Sequence, residues 1–356
     1  MMRNEIVIIG ELHQDLYYET NFFQIIIEKL TIDLVNFIKY NPDDLNSGII
    51  KKVITSGMEN ISKKIEGSSY LKRGGNGNNT SEIISALGIP TRLISVIGRR
   101  SNWMIEELNK LGINTENVYQ IDELTPVSTI IKSHVTTKIH IAPNLKKKMN
   151  FNQIEINDSV FDNAKIVFST PFSEKYANLF KIASKEDIIT AFTIEFQAIQ
   201  SLAALDELIQ DQIDILFINF NDAIKIIGDS STIEQVDENL KRYARIRIYT
   251  EGKKGSCLMT DKTRVDFPGI ETDQVKDLTG AGDAFAAVFL SQLYDSIENK
   301  MEFNRLFFPE NVPDLKKISF KCIKYATFSS LFKITHPEAP NKQELGEFIK
   351  SYEKDH

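Results

Sequence analysis

The sequence predicts an α/β protein in which a mostly parallel sheet carries helices on both faces. Beyond residue 150, apolar runs typical of buried strands alternate with helical stretches near 173–184, 199–210 and 232–243. The strand-like runs are Ile166–Phe168, Ile188–Thr193, Ile213–Ile218 and Ile246–Tyr249. Such alternation requires crossover connections, which place successive strands side by side and parallel. With 356 residues of ordinary globular composition, the chain can bury a large core.

The first part of the chain is less regular. Glu5 to Ile9 form an apolar, β-branched run closed by Gly10, which predicts a buried first strand. Phe22 to Phe37 and Ile49 to Ile65 space their apolar residues at helical intervals, with Asn-Pro-Asp-Asp at 41–44 as a break. The pattern then predicts a helix through Ala86, a strand at 92–97, a helix at 103–111 and a hairpin of 127–132 with 137–141.

Charge, cysteine content and hydropathy exclude several classes of protein. A formal net charge of -7 argues against a nucleic-acid binder that works through bulk charge. Only Cys257 and Cys322 occur, without CxxC spacing, which excludes a disulfide framework and argues against a thiolate zinc site. The first apolar run is too short to span a bilayer or to act as a signal peptide. We therefore expect a cytoplasmic protein that binds neither nucleic acid nor membrane.

Residues 277–283, Asp-Leu-Thr-Gly-Ala-Gly-Asp, carry the strongest chemical pattern. They precede an apolar segment at 284–293 that predicts a buried helix. Gly280, Ala281 and Gly282 leave backbone amides unobstructed at the start of that helix, where the helix dipole favours anions. Asp283 can take the proton of a substrate hydroxyl, although the dipole is expected to keep it ionised and therefore a weak base. From spacing alone, a helix-capping aspartate in a tight turn is an equal alternative.

With Ala284 and Phe285, this stretch resembles the C-terminal signature of the ribokinase/PfkB carbohydrate kinases, Asp-Thr-x-Gly-Ala-Gly-Asp-x-Phe. Leu278 stands where that motif usually has its Thr, at the second position. The resemblance implies a ribokinase-like three-layer sandwich, with residues 280–282 as an anion hole and Asp283 as the base. It also implies ATP and Mg²⁺ as cofactors, and a monovalent cation near the loop that holds Asp277.

Two segments resemble the acceptor-binding side of the family. Asp15, five residues after Gly10, matches the family's substrate-binding aspartate, whose carboxylate can accept bonds from vicinal hydroxyls. The run Gly74-Gly75-Asn76-Gly77-Asn78-Asn79 resembles the first signature, in which glycines admit the substrate and Asn79 orients it. The resemblance therefore implies Asp15, Gly74, Gly75 and Asn79 as substrate-binding residues. A turn aspartate and an ordinary Gly/Asn turn are the alternatives.

Two further segments resemble the nucleotide side. Asn219-Phe220-Asn221-Asp222 follows a strand and resembles the family's Asn-x-x-Glu motif, which organises Mg²⁺ through water. Asp222 is one methylene shorter than the usual Glu, and a helix-capping Asn219 is the alternative. Thr250, Gly252 and Gly255 match the family's Thr-x-Gly-x-x-Gly stretch beside the nucleotide, for which a plain hairpin turn is the alternative.

Three departures from the family pattern qualify the prediction. Arg99 and Arg100 stand where the family often has a Gly-x-Asp turn followed by Gly. The predicted hairpin at 127–142 has no arginine, which favours an unphosphorylated acceptor. Residues 16–72 form a long helical insertion where relatives carry a short β lid. We predict one ribokinase-like domain over 1–356 whose 16–72 insertion covers the site or forms a homodimer contact; a surface decoration is the alternative.

Two functions of different classes follow. The first is an ATP-dependent kinase that phosphorylates a hydroxyl of a small sugar or nucleoside-like acceptor. The second is a catalytically weak protein of the same fold that binds nucleotide or sugar as a regulatory signal. The altered turn at 99–100, Asp222 and the insertion favour the second function, whereas Asp283 favours the first.

Overall fold

The computed structural model describes residues 4–40, 47–59, 66–132, 139–141, 144–151, 154–228, 232–336 and 338–355. The chain divides into two compact units. The first comprises Met1–Leu12, Gly74–Thr125 and Lys147–His356. The second comprises His13–Arg73 and Pro126–Lys146. It therefore contains the whole of the predicted insertion together with the predicted hairpin, while the role of residues 16–72 as a lid stays a prediction.

The strands follow one another along the chain with these bounds. They are β1 Glu5–Gly10, β2 His13–Thr20, β3 Gly67–Gly74, β4 Thr91–Arg99, β5 Ile113–Asn114, β6 Val118–Leu124, β7 Val127–Lys132, β8 Ile139–Ile141, β9 Ala164–Thr170, β10 Ile189–Ile194, β11 Ile213–Asn219, β12 Ala244–Thr250, β13 Gly255–Met259 and β14 Arg264–Pro268.

The helices alternate with these strands. They are α1 Phe22–Tyr40, α2 Ser47–Glu59, α3 Asn76–Ala86, α4 Asn102–Lys110, α5 Glu174–Lys185, α6 Leu202–Leu208, α7 Phe220–Ile227, α8 Ile233–Leu240, α9 Ala281–Ser296, α10 Lys300–Arg305, α11 Val312–Thr335 and α12 Lys342–Asp355. Among the described residues, no helix is both long enough and apolar enough to cross a membrane.

A ten-stranded sheet forms the centre of the first unit. Its order is β14-β13-β12-β11-β10-β9-β1-β4-β5, with β6 also paired to β4. The strands from β12 to β4 run parallel, and only β13 and β14 join antiparallel at one edge. This confirms the predicted mostly parallel sheet, because each strand–helix–strand crossover returns the chain in the same direction.

Two apolar cores lie on opposite faces of this sheet. Along β1, Ile6 and Ile8 belong to the core beneath α3, α4 and α9–α12, whereas Val7 and Ile9 belong to the core beneath α5–α8. Alternate residues of a strand point to opposite faces, so a strand covered on both sides is apolar throughout. The predicted three-layer arrangement of helices, sheet and helices is therefore confirmed.

The candidate site depends on how α9 is held against its neighbours. The helix is buried along most of its length, since residues 284–290 are all buried. Two serines of α11 lock it in register: Ser330 Oγ donates to the Ala281 carbonyl at 2.8 Å, and Ser329 Oγ donates to the Ala284 carbonyl at 2.9 Å. The first turn of α9 is therefore fixed relative to the last turns of α11.

A close backbone approach positions α3 against the end of β1. A Cβ added at Gly10 would lie 2.7 Å from the Gly77 Cα and 2.5 Å from the Thr170 carbonyl oxygen. Both glycines are therefore needed for packing, since any side chain would force the helix away from the strand. Gly77, which lies inside the predicted substrate loop, thus has a structural function.

The second unit contains a four-stranded sheet in the order β3-β2-β7-β8. The predicted hairpin is confirmed as the antiparallel pair β7–β8. The helices predicted between 20 and 65 are present as α1 and α2, whereas the strands that flank them, β2 and β3, were not predicted. Thr20 Oγ1 donates to the Glu66 carbonyl at 3.1 Å, so the two ends of the helical insertion lie side by side. The predicted break at 41–44 lies outside the described residues.

Candidate active site

Three polar residues of the first unit lie where parallel strands of the central sheet end. Glu195 directly follows β10, Asn219 is the last residue of β11 and Thr250 is the last residue of β12. Asn219 and Thr250 are partners in the register of the two strands. Open parallel sheets bind ligands beyond the carboxyl ends of their strands, so this edge is the place to look for a site.

The first turn of α9 presents backbone amides to its surroundings. Gly280 caps the helix in the left-handed region with a φ of 77°, a conformation that favours glycine. The first N–H groups of a helix have no partner inside it, and the Ala281 amide makes a long bond, of 3.4 Å, to the Leu278 carbonyl. A Cβ at Gly282 would meet open space. These features fit an anion site at residues 280–282, which stays a prediction.

Asp283 lies in the same first turn, and its carboxylate is not used to cap the helix. Its Oδ2 accepts a hydrogen bond of 2.8 Å from Asn79 Nδ2, and α9 has no side-chain cap at its N-terminus. The alternative of a helix-capping aspartate is therefore not what the structure contains. The predicted base and the predicted substrate-binding asparagine, 204 residues apart in sequence, are in direct contact.

The surroundings of Asp283 raise its pKa to about 7. Desolvation by the surrounding protein is the largest cause, and the hydrogen bond from Asn79 opposes it. The Glu195 carboxylate raises this pKa further, whereas the Lys333 ammonium lowers it. The expectation that Asp283 stays ionised and is a weak base is therefore wrong, because desolvation by the surrounding protein raises its pKa.

The glycine-rich segment 74–79 makes hydrogen bonds to two carboxylates, those of Glu195 and Asp283. Gly75 caps α3 with a φ of 102°, and its carbonyl accepts from the Asn79 amide at 2.9 Å. Asn76 Nδ2, one turn earlier than Asn79, donates to Glu195 Oε1 at 2.8 Å. The first turn of α3 therefore bonds to Asp283 through Asn79 and to Glu195 through Asn76. Gly74, the last residue of β3, leads into this turn.

Asn219 and Asp222 already have partners within the protein. Asn219 caps α7 by accepting from the Asn221 amide at 3.0 Å, which is the helix-cap alternative of the sequence analysis. Asp222 accepts from the Phe196 amide at 3.3 Å and pairs with Lys225 at 3.3 Å. No group of three or more His, Cys, Asp or Glu side chains able to hold a metal occurs among the described residues. A role for Asn219 and Asp222 in binding Mg²⁺ stays a prediction.

The Thr250–Gly255 stretch forms the turn between the antiparallel strands β12 and β13. This is the plain hairpin turn that was the alternative to a stretch beside the nucleotide. Gly252 has a φ of 56° and Gly255 a φ of 105°. A Cβ at Gly255 would lie 2.2 Å from the Phe267 carbonyl oxygen, so packing alone requires this glycine. Space is open around Gly252, which leaves room for a ligand beside the turn. A contact of Thr250, Gly252 or Gly255 with nucleotide stays a prediction.

Asp15 belongs to β2 of the second unit. Its side chain is mostly buried, and its Oδ1 lies 3.2 Å from His13 Nε2. Ser128 of β7 stands opposite Asp15 in the sheet register, and its buried Oγ has no hydrogen-bond partner within the part of the chain that the structure describes. A buried hydroxyl without a hydrogen-bond partner is costly, unless a ligand supplies the missing bond. Asp15 stays a predicted acceptor-binding residue, and Ser128 is a neighbour that the sequence did not reveal.

Comparison with known proteins identifies the family. Residues 59–303, well over half of the chain, match the pfkB family of carbohydrate kinases. The chain belongs to the pfkB family. It is therefore an enzyme of the carbohydrate-kinase class, as the sequence motifs predicted.

Two curated relatives of this pfkB-family kinase are of different substrate types. An ATP-dependent 6-phosphofructokinase of Thermoanaerobacterium thermosaccharolyticum is 26% identical over 244 residues, covering 62% of this chain and 72% of the relative. A nucleoside kinase of Methanocaldococcus jannaschii is 27% identical over 229 residues, covering 61% and 71%. Similarity alone therefore leaves the acceptor open.

Solved structures agree on the fold. A ribokinase of Arabidopsis thaliana, solved with ribose and ATP, superposes with a TM-score of 0.69 at 18% identity, covering 98% of this chain and 99% of that one. The Methanocaldococcus jannaschii nucleoside kinase superposes with a TM-score of 0.62 at 19% identity, with the same coverage. The ribokinase-like fold predicted for the pfkB-family kinase is confirmed.

The altered turn of this pfkB-family kinase has a strained backbone. Arg100 adopts a φ of 65°, which favours glycine, and Arg99 pairs with Asp122 at 3.1 Å on the surface.

Two charged residues that contribute to the site were not predicted from the sequence, Glu195 and Lys333. Glu195 could have been found as the first polar residue after a predicted strand, whereas no local pattern marks Lys333.

Proposed function

We propose that this kinase transfers the γ-phosphoryl group of ATP to a hydroxyl of a sugar or nucleoside-like acceptor. The hydrogen bond of 2.8 Å between Asn79 and Asp283, at the glycine-capped start of α9, is the observation that carries the proposal. It joins a carboxylate able to accept a proton to the predicted acceptor-binding asparagine, in the same helical turn as the amides that could hold a phosphoryl group. Such a pairing suits phosphoryl transfer, in which positioning and charge stabilisation supply most of the catalysis.

Asp283 acts as the base in this reaction. Its pKa of about 7 leaves about half of the molecules with an ionised carboxylate at neutral pH, ready to accept the proton of the acceptor hydroxyl. The acceptor oxygen forms a bond to the γ-phosphorus, the bond from that phosphorus to the bridging oxygen breaks, and ADP leaves. The amides of Gly280, Ala281 and Gly282 hold the oxygens of the transferred group.

The remaining predicted residues divide between acceptor and nucleotide. Asp15 accepts hydrogen bonds from acceptor hydroxyls, and Gly74 and Gly75 admit the acceptor to the backbone beside Asn79. Ser128, whose buried hydroxyl has no described partner, joins Asp15 in this role. The nucleotide lies beyond the carboxyl ends of β11 and β12, along the turn formed by Thr250, Gly252 and Gly255.

At this edge of the central sheet, the protein could supply only a few of the ligands of Mg²⁺. The nucleotide phosphates and water would supply the others. The carboxylate of Asp222 is tied to the loop after Glu195 through the Phe196 amide, which places two carboxylates beside neighbouring strand ends. Mg²⁺ keeps several waters and needs only one or two carboxylates besides the phosphates, so Asp222 and Asn219 would hold it through water. When bound, the ion neutralises charge on the phosphates. A monovalent cation near Asp277 stays a further prediction.

The acceptor is expected to be unphosphorylated. No arginine occurs at 127–142, the hairpin on which phosphosugar kinases of the family commonly place one. The side chains of His134, Lys138 and His140 in that hairpin lie outside the described residues. Among hydroxyl-bearing acceptors, free sugars and nucleosides are therefore the first to test.

A panel of acceptors tests the proposal directly. ADP release is measured with ATP, Mg²⁺ and a series of sugars, sugar phosphates and nucleosides, for the parent and for Asp283→Asn. We expect an acceptor-dependent rate that the substitution lowers by about 10²–10⁴-fold, the usual contribution of a general base. Asp295→Asn is the matched control, because Asp295 lies on the same helix, exposed and paired with Lys342 at 3.1 Å. Equal rates for the parent and Asp283→Asn would contradict the proposal.

The rival function, a catalytically weak binding protein, gains support from the contacts of one of the residues that favoured it. Asp222, shorter than the family's glutamate, is already paired with Lys225. The same panel separates the two functions: saturable binding of ATP or of a sugar, measured by calorimetry, without turnover for any acceptor would favour the regulatory protein.

A further inference from the structure

Lys333 lies in the last turn of α11, next to the loop that carries the family signature. The backbone amide of Lys276 donates to the Ile334 carbonyl at 2.7 Å, and that of Asp277 does so at 3.3 Å. At the other side of the loop, Ser330 holds the Ala281 carbonyl. Both ends of the segment from 276 to 281 are thus bonded to the last turns of α11, which fixes the backbone of Lys333 beside the loop.

The side chain of Lys333 reaches the start of α9. Its Cε lies 3.4 Å from the position that a Cβ on Gly280 would occupy. Asn79 Nδ2 and Asp283 Oδ2 lie 3.6 Å and 3.9 Å from the same point. The ammonium of Lys333 is bonded directly to this Cε and lies no nearer than 3.9 Å to that point, so it belongs to the surroundings of the base, the asparagine and the capping glycine.

The charge of Lys333 acts on this point. It is the one cation among the groups that shift the pKa of Asp283, where it opposes burial and the Glu195 carboxylate. Its side chain is half-buried, so the cost of desolvating it is moderate and its field is incompletely screened by water. A cation beside bare amides at a helix N-terminus creates a strongly positive patch for an anion.

We propose that Lys333 is a further catalytic residue, whose ammonium binds the γ-phosphoryl oxygens of ATP and stabilises the charge of that group during transfer. This inference rests on the proposed function. The amides of residues 280–282 hold the phosphoryl group from the helix side, and Lys333 holds it from the side of α11. Lys333 would bind the phosphoryl group through its positive charge, as lysines bind phosphates in other phosphotransferases.

A simpler role is that Lys333 only pairs with Asp283 and keeps the loop in shape. The two roles differ in their dependence on the γ-phosphoryl group. A catalytic lysine discriminates ATP from ADP, whereas a lysine that only pairs with Asp283 affects both nucleotides equally.

The test compares Lys333→Met and Lys333→Arg with the control Lys321→Met, which removes an exposed lysine of the same helix. Binding of β,γ-methylene-ATP and of ADP is measured by calorimetry, together with kcat and the pH dependence of kcat/KM. We expect Lys333→Met to weaken the ATP analogue at least tenfold more than ADP, and to lower kcat by about 10²–10³-fold, as the loss of one charge-stabilising donor does. Lys333→Arg should recover part of both losses, because it keeps the charge.

The pH profile provides an independent reading. Loss of the cation should move the acid limb of kcat/KM to higher pH, because Lys333 lowers the pKa of Asp283. An unchanged ratio of analogue to ADP affinity in Lys333→Met, with a folded protein by circular dichroism, would overturn the inference. If Asp283→Asn abolishes turnover while Lys333→Met leaves kcat intact, only the role of Lys333 fails. If the parent shows no turnover but Lys333→Met loses the analogue selectively, only the proposed function fails.

Discussion

At the scale of single residues, Asp283 is set between opposing influences. Burial and the Glu195 carboxylate favour its protonated form, while Asn79 and Lys333 favour its ionised form. The result is a pKa of about 7, close to the value at which a base is both available and strong enough to accept a proton at neutral pH. Asn79 and Lys333, which favour the ionised form, are both distant from Asp283 in sequence, so this pKa depends entirely on the fold.

The pH dependence of the reaction follows from this pKa. The base must be ionised, so kcat/KM should fall tenfold per pH unit below about 7 and level off above it. Glu195→Gln removes a negative charge that raises this pKa, and the acid limb should therefore move to lower pH. The control is Glu207→Gln, an exposed residue of α6. An acid limb that stays in place in Glu195→Gln would show that Glu195 does not act on Asp283.

The same group predicts a cost in stability. Because the pKa of Asp283 is higher in the folded protein than its ordinary value of 3.8, folding favours the protonated form, and stability is lost as pH rises toward 7. Asp283→Asn should stabilise the fold at pH 8, by about 2 kcal/mol once partial solvation is allowed for. The gain should shrink between pH 8 and pH 5. Melting curves of the two proteins at both values measure it, and a parent that is as stable as the variant at pH 8 would contradict the prediction.

At the scale of elements, the start of α9 combines two glycines with different functions. Gly280 needs its positive φ, and a side chain there would also approach Lys333. Gly282 is helical, with open space around it.

This difference gives a paired prediction. Gly280→Ala should lower the free energy of unfolding by about 1–2 kcal/mol, the cost of a left-handed conformation for an L-residue. Gly282→Ala should raise it by about 0.5–1 kcal/mol, since alanine is the better helix former. It should nevertheless lower kcat, because the new methyl group occupies the space in front of the amides. Chemical denaturation and ADP release measure the two effects. A Gly282→Ala variant with full activity would argue against an anion site there.

The sequence predicted the buried elements well and the exposed ones poorly. β1 and β9–β12 are rich in apolar residues and buried along nearly their whole length, so both their position and their parallel pairing could be inferred. β3 is largely exposed, β2 is only partly buried, and both are rich in polar residues, which hid them beside the strongly patterned helices that they flank. Pairing with β7 and with each other, a contact between distant segments, is what makes them strands.

The candidate site likewise contains a part that the sequence predicted and a part that it did not. Gly280, Gly282 and Asp283 form one contiguous motif, so their grouping was visible in the sequence. The contacts of Asn79 with Asp283 and of Asn76 with Glu195 join residues more than a hundred positions apart, with separations of 204 and 119. No local pattern encodes such contacts. Lys333 has no motif of its own, and only the packing of α11 against α9 brings it to the loop.

At the scale of the whole molecule, the helical insertion can be removed cleanly. The Thr20 hydroxyl bonds to the Glu66 carbonyl, so a short Gly/Ser linker can replace residues 21–65 without disturbing β2 or β3. Several apolar side chains on α1 are exposed, as expected of a surface that covers a ligand or another copy of the chain: Ile25, Ile27, Ile32, Val35 and Ile38.

We expect the shortened chain to fold but to lose one of two properties. If the insertion covers the site, acceptor-dependent ADP release should fall several-fold and hydrolysis of ATP without acceptor should rise, because water is no longer excluded. If it forms a homodimer contact, the mass in solution should halve. Light scattering and the ADP assay separate these outcomes. Unchanged mass with unchanged activity would leave the insertion as a surface decoration.

The position of β1 has a consequence for how the chain is made. This strand pairs on one side with β4 and on the other with β9, where Glu5 meets Ala164. On the ribosome, the first strand must therefore wait for roughly 160 further residues before its second neighbour exists, about 8–30 s at usual rates of synthesis. Until then this apolar strand lacks one of its neighbours, so chaperones that bind nascent apolar segments should engage β1 before β9 has been made.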